Sequence, residues 1–508
     1  MNRTVVLWIC LVTVACGIET CIGIMQLLGF CHSSANLFII TGSFGNPGPY
    51  GGFLAVCISL LAAYYIREKK NSIKPGLLMN VVAAVVLLAF IILPFTKSRA
   101  SYLAIGCSLV LFLAGYYRKS QVLSSFLKKY GVALACSVAV VGICAYLIKK
   151  PSADGRFFIN KICVKTMAEN GLKGSGLGSF SGAYGKTQYS FFKEQIDKKG
   201  QNDMDWRVIN EHDRITADSP NKAFNEYFLI GVEAGPVVML LFIAIIIIAV
   251  ITSYQRETIW CYGLCAFAVF ALFSYPLHYV CFRLFLLILL LLSILDKGNV
   301  SITLTRKHTS TPKRVIWISA YCLCLILLSF VFVGRDYKTR GNKIAKSIWE
   351  KAEKRYNMGY YDYVLEDFES IFPYMNHDYK YLFAYGQSLS KTGYYEKSDS
   401  ILEIGTEISS DPMFWNIMGN NSLAQGKYRE AEERYKHAFY MVPNRLYPLV
   451  LLAKLYYTEG DTARFLEMTD VVEKFVPKVE SIRTEKLRAE IRELKNSYLS
   501  EIENKTDE

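Results

Sequence analysis

The chain reads as an all-α membrane protein: a polytopic bundle of about nine transmembrane helices followed by an α-solenoid of short helical repeats. Three features carry that reading. Long apolar runs are nearly free of charge, basic residues fall on alternate loops, and glycines recur every 33–34 residues in the C-terminal third.

Apolar residues make up 52% of the 508 positions, and they are clustered. Stretches 81–93 and 237–251 are nearly free of charge, and 284–295 is almost wholly apolar. A lipid-crossing helix needs roughly 20 such residues, because only an internally hydrogen-bonded backbone survives in hydrocarbon. Spans are expected near 5–27, 51–66, 76–95, 100–116, 131–148, 228–252, 259–276, 279–295 and 315–333. The first span contains Glu19 and shows no cleavage signal, so it reads as an anchor.

The net charge of +13 raises the possibility of a nucleic-acid partner, but the placement of the charges argues against it. Counting spans alternately, one side collects Arg3, Arg67, Lys69, Lys70, Lys74, Arg118, Lys119, Lys128 and Lys129. It also collects Arg256, Lys297, Arg306, Lys307, Lys313 and Arg314, whereas the opposite loop 29–50 has no Lys or Arg. Short basic loops face the cytoplasm. The N-terminus is therefore expected inside, and the loop 149–222 and everything after the ninth span outside. The 14 cysteines sit mostly within expected spans, and none follows Gly334, so they form no disulfide framework. No CxxC pair has zinc-site spacing, and Cys322 and Cys324 lie inside an apolar run; no metal site is expected.

Expected domains are 1–333 (membrane, with the exterior loop 149–222), a linker at 334–344, and a repeat domain at 345–499. Glycines 359, 393, 426 and 460 set the repeat period. One unit is complete: Trp415, Gly419, Gly426, Tyr428, Ala431, Tyr435, Ala438 and Pro443 occupy the positions of a tetratricopeptide repeat. Small residues let paired helices approach and aromatics fill the groove between units. About four repeats over 345–478 are expected, with a polar capping helix at 481–499. Such an array offers a concave surface to a protein partner, or serves as a plain brace.

Three polar groups are expected at the outer face. Thr96, Lys97, Ser98 and Arg99 form a very short connection between apolar helices. Cations at that depth cost about 2.5–3.5 kcal/mol unless partnered or snorkelling, and a guanidinium suits bidentate phosphate binding. The loop 149–222, too long for a simple connector, holds Arg156, Lys161, Lys165, alternate glycines 174, 176 and 178, Tyr184, Gln188 and Tyr189. Alternate glycines permit close backbone approach, but a phosphate-cradling Gly-Lys-Ser/Thr loop is missing. A folded lid is the plainer reading. The third segment, 218–235, carries Asp218, Asn225, Glu226 and Glu233 into the sixth span. Glu226 is placed to orient an acceptor hydroxyl or act as base, whereas Asp218 and Pro220 also suit a helix start. Lesser candidates are Glu19 with Gln26, His278 with Arg283, and the loop histidine His212.

Together these segments resemble the O-antigen ligase and O-antigen polymerase family of membrane glycosyltransferases. The resemblance rests on residues 41–47, Ser98 with Arg99, Arg156, 174–180 and 223–235, in that order, and runs from about residue 5 to 295. It implies a transferase without metal or cofactor, in the bacterial inner membrane, working on the periplasmic face. The donor would be a glycan on a polyprenyl (undecaprenyl) diphosphate, and the acceptor a sugar hydroxyl. That acceptor is lipopolysaccharide core for a ligase, another repeat unit for a polymerase, or a protein for an oligosaccharyltransferase. On this reading Arg99 and Arg156, with Lys97 and Lys161, hold the diphosphate. Asn225, Gly176, Gly178, Gln188 and Tyr189 meet the substrates. Many members carry histidine just before Asn-Glu. Here that position is Phe224, so Glu226, Asp218 or His212 would take its place. The family also usually has further spans before the first one here, implying a compact variant or a missing N-terminal part. From other classes, a transporter or flippase predicts charged or broken helices at mid-membrane, and a non-catalytic envelope scaffold would use the repeats alone.

Overall fold

The computed structural model describes residues 3–33, 35, 37–71, 76–116, 150–198, 206–296 and 343–506. Among these residues all regular structure is helical. The chain divides into two compact units: a membrane unit (1–148, 223–230 and 237–329) and a second unit (149–222, 231–236 and 330–508). The expected spans 131–148 and 315–333, most of the linker and most of the basic loops lie outside the described residues.

Among the described residues of the membrane unit, five helices are long and apolar enough to cross a bilayer: Val5–Leu27, Pro47–Lys69, Leu77–Thr96, Arg99–Tyr116 and Pro236–Gln255. Pro47–Lys69 has 83% of its apolar window buried inside the protein, against 17–28% for the other four, so it is the central helix. The outer helices present Leu7, Val14, Leu87, Phe90, Val110, Leu240 and Ile247 to their surroundings, an apolar surface that suits lipid. Glycines let the central helix pack closely: a Cβ on Gly52 would lie 2.1 Å from the Phe270 ring. That ring stacks on Phe282 at 6.0 Å, and Phe282 meets Phe53 edge-on at 5.8 Å.

Three expected spans differ from the observed helices. The run 228–252 is two helices, Glu226–Ala234 and Pro236–Gln255. Pro236 has no N–H to continue the first, and Gly235 turns there at φ +93°. The runs 259–276 and 279–295 are the shorter helices Trp260–Ala271 and Val280–Leu295. Between them the chain makes a one-turn 3-10 helix, Pro276–His278.

The second unit joins the segment 149–222 to the C-terminal helices. Lys150–Asn170, Phe180–Asp197 and the short Glu211–Thr216 come from the former. The latter are Lys343–Asn357, Leu365–Met375, Tyr379–Lys391, Tyr395–Ile408, Met413–Ala424, Tyr428–Met441, Tyr447–Glu459, Thr462–Lys474 and Ile482–Thr506. The periodic glycines 359, 393, 426 and 460 stand between successive helices, with φ between +73° and +86°, a conformation glycine adopts without strain. Within pairs, a Cβ on Gly419 would lie 2.4 Å from Tyr435, and one on Gly386 2.5 Å from Leu402. Asp378 and Asp461 cap their helices by accepting backbone N–H groups.

Candidate functional site

Polar residues of the membrane unit collect at one end of its bundle. Two come from the first helix and hold the returning chain. Gln26 accepts the N–H groups of Thr41 (2.8 Å) and Gly42 (2.9 Å) and donates to the Gly42 carbonyl (3.0 Å). Glu19 accepts the Ser43 hydroxyl (2.5 Å) and N–H (3.1 Å), and the Tyr50 hydroxyl donates to the Glu19 carbonyl at 2.9 Å. Segment 41–43 is thus fixed by two side chains of the first helix.

The next residues reach two other segments. Asn46 donates to the Tyr275 hydroxyl (3.2 Å), and the Phe44 ring meets Tyr279 at 5.2 Å. Gly51 lies against the connection before Arg99: a Cβ there would sit 2.8 Å from Thr96 Oγ1 and 3.0 Å from Ser101 Oγ. In that connection Thr96 donates to the Leu93 carbonyl at 2.7 Å, and the Ser98 and Ser101 hydroxyls share a hydrogen bond at 2.7 Å. Lys97 is exposed at its apex, and Arg99 opens the following helix, half-buried.

Residues 223–226 complete this end. Asn225 caps the helix that follows, accepting the N–H groups of Tyr227 (3.1 Å) and Phe228 (3.2 Å). Glu226 is fully buried, and its Oε2 accepts the Leu277 N–H at 3.0 Å. Phe224 sits edge-on to Tyr275 at 5.6 Å, and Tyr275 to His278 at 6.0 Å. Among the described residues, three non-glycines take positive φ: Lys97, Phe224 and Glu257. Two of them border this polar end. Such conformations cost about 1–3 kcal/mol each and concentrate where function requires them. Asn46 and Tyr275 were not singled out as site residues from sequence. The signal available for Tyr275 was an aromatic-proline pair at a tight turn between two apolar helices.

The remaining sequence candidates belong to the second unit, where the segment 149–222 packs on the C-terminal helices. Gln188 donates to the carbonyls of Asp218 (3.0 Å) and Met441, and accepts the Tyr184 hydroxyl (2.8 Å). Asn444 donates to the Arg214 and Ala217 carbonyls at 2.9 and 2.8 Å. A Cβ on Gly182 would lie 2.0 Å from the Glu407 carbonyl oxygen. Burial works to raise the Asp218 carboxyl, but the Lys478 ammonium at 3.0 Å, the Ser219 N–H and Arg445 hold it below its ordinary range. His212 faces Asp154 at 3.5 Å, and Lys161 pairs with Asp213 at 2.7 Å. Arg156 is half-buried on Lys150–Asn170.

Tyr189 stacks on His437 at 3.8 Å, with Trp415 on His437 at 3.6 Å. Burial, with Lys193 nearby, pushes the His437 pKa down to about 3. The alternate glycines approach backbone. Ser175 N–H donates to the Val232 carbonyl (2.8 Å) and Gly176 N–H to that of Glu233 (2.9 Å). A Cβ on Gly174 would lie 2.5 Å from the Gly235 nitrogen, while none would meet an obstacle at Gly178.

A family model described as O-antigen ligase matches residues 83–243. No curated protein matches the chain. The matched stretch contains Arg99, Arg156, glycines 174–178, Asn225 and Glu226; it leaves out the turn 275–279 and the C-terminal helices. Together with several apolar helices, the match supports a multi-pass membrane glycosyltransferase of the O-antigen ligase or polymerase type.

Proposed function

We propose that the protein transfers a glycan from a polyprenyl diphosphate carrier to a sugar hydroxyl on the periplasmic face of the inner membrane, as an O-antigen ligase. The observation that carries this reading is the ligase match over 83–243, which includes Arg99 at the polar end of the bundle. The donor already has a good leaving group, so catalysis reduces to neutralising the diphosphate and positioning the acceptor. Arg99 supplies that charge at the end of the membrane bundle, with Lys97 beside it in the chain, and Arg156 and Lys161 are carried by the second unit. A guanidinium suits the task because it stays charged and binds two phosphate oxygens at once. The glycine-rich segment, Gln188 and Tyr189 support the reading by building the unit that carries Arg156. Asp218 and His212 serve that unit as well: a carboxyl held low by Lys478 is a poor proton acceptor. The C-terminal helices are tetratricopeptide repeats that brace the segment 149–222.

Envelope glycans compared between cells with and without the protein test this reading. Carrier-linked polymer accumulating beside bare lipopolysaccharide core supports a ligase. Single repeat units on the core would make it a polymerase, and a lost glycoprotein signal with normal lipopolysaccharide would move the acceptor to protein. Unchanged glycans in every fraction would remove the enzyme reading.

A further inference from the structure

We propose that Glu226 is a positioning residue rather than the base, and that His278, on the turn Glu226 holds, takes the proton from the acceptor hydroxyl. This rests on the transferase reading above and deepens it at the same site.

Glu226 is 0% exposed, and its Oε2 accepts the backbone N–H of Leu277 at 3.0 Å. A carboxyl with no surface cannot meet an acceptor sugar without the helix start moving. That bond is to backbone, and it fixes residues 276–278. Two further anchors hold the same turn. Pro276 sets its first φ, and the Tyr279 N–H closes on the Pro276 carbonyl at 3.0 Å. Asn46 donates to the Tyr275 hydroxyl, and Tyr275 is itself buried against Phe224 and Tyr279.

The residue next to Leu277 is different. His278 is exposed, on a turn clamped from three directions, at the polar end that also carries Arg99. Rigid mounting of an accessible imidazole is what general-base catalysis asks of a scaffold, and histidine ordinarily titrates near neutrality. The step balances without another reactant. The hydroxyl proton passes to an imidazole nitrogen of His278 while the hydroxyl oxygen bonds the anomeric carbon. The bond from that carbon to the diphosphate breaks, and its electron pair leaves on the diphosphate oxygen beside Arg99.

The test uses the full chain in lipid nanodiscs, with undecaprenyl diphosphate-linked glycan as donor and lipopolysaccharide core as acceptor. In Glu226→Gln the amide carbonyl still accepts the Leu277 N–H, so transfer should stay within about threefold of wild type, whereas Glu226→Ala should lose at least about tenfold. His278→Ala should lose about 100-fold or more in turnover, keep its donor affinity, and recover in part with added imidazole. Tyr275→Phe, which folds more safely than Glu226→Ala, should lose severalfold through the broken Asn46 bond. Glu226→Gln as inactive as Glu226→Ala, or His278→Ala as active as wild type, would overturn the proposal and leave the transferase reading standing. A wild-type chain that transfers to no acceptor in this assay or in cells would overturn both.

Discussion

The two units spend their polar residues differently. At the end of the membrane bundle, buried Glu226 and Gln26 and half-buried Glu19 each bind backbone of another segment, and the turn that Glu226 fixes carries exposed His278. In the second unit, Gln188, Asn444, Asp218 and Arg214 join one part of the chain to another, and the groups they meet are main-chain carbonyls and paired ions. A polar residue in an apolar helix costs too much to keep without a purpose. One in a water-exposed loop is cheap and readily recruited for packing. Glu226 in the first setting holds a turn that carries an exposed imidazole, whereas Gln188 and Asp218 in the second bind groups within their own unit.

Variants of the second unit sharpen this contrast because they should alter stability far more than donor chemistry. Gly182→Leu is expected to act most strongly. Its Cβ would overlap the Glu407 carbonyl oxygen at 2.0 Å, and forced separation of packed helices costs about 1–3 kcal/mol or more, readable as faster proteolysis of the segment 149–222. Asn444→Ala should cost about 1–3 kcal/mol, since the buried Arg214 carbonyl loses its Asn444 donor and that of Ala217 keeps only the Lys478 ammonium at 3.3 Å; chemical denaturation followed through the second unit measures it.

His437 makes this unit sensitive to mild acid. The folded ring resists protonation down to about pH 3, while an unfolded histidine accepts a proton near pH 6.5. Stability is therefore full above about pH 7 and falls as pH drops through 6 and 5, by up to about 1.4 kcal/mol per pH unit. His437→Phe should flatten that slope in thermal unfolding scans. Asp218→Asn should matter least. The Asp218 side chain is 53% exposed, so its pair with Lys478 contributes under about 1 kcal/mol. Because that carboxyl titrates low, its share is present at neutral pH and disappears only below about pH 4.

Much of this architecture was legible in the residues. The apolar runs gave the helices Val5–Leu27, Pro47–Lys69, Leu77–Thr96 and Arg99–Tyr116 within a few positions, because lipid imposes one length and one composition. The glycine period located four turns of the C-terminal helices, since φ near +80° selects glycine. The break at Gly235–Pro236 was read through as continuous helix. Hydropathy is blind to a missing N–H when the flanks are equally apolar. Pairings such as Glu226 with Leu277, or Asn46 with Tyr275, join residues 51 and 229 apart, and no local pattern encodes them. For the same reason no local pattern shows that the glycines at 174 and 176 lie against the backbone of 232–235.

Binding of undecaprenyl diphosphate-linked glycan to the full chain in nanodiscs, with Arg99→Ala and Asp218→Asn measured beside wild type, tests whether Arg99 holds the donor. Arg99→Ala should weaken binding by at least about tenfold, as loss of a charge-assisted phosphate contact does, while Asp218→Asn should bind as wild type does. Full affinity in Arg99→Ala, with affinity lost in Asp218→Asn, would contradict that role.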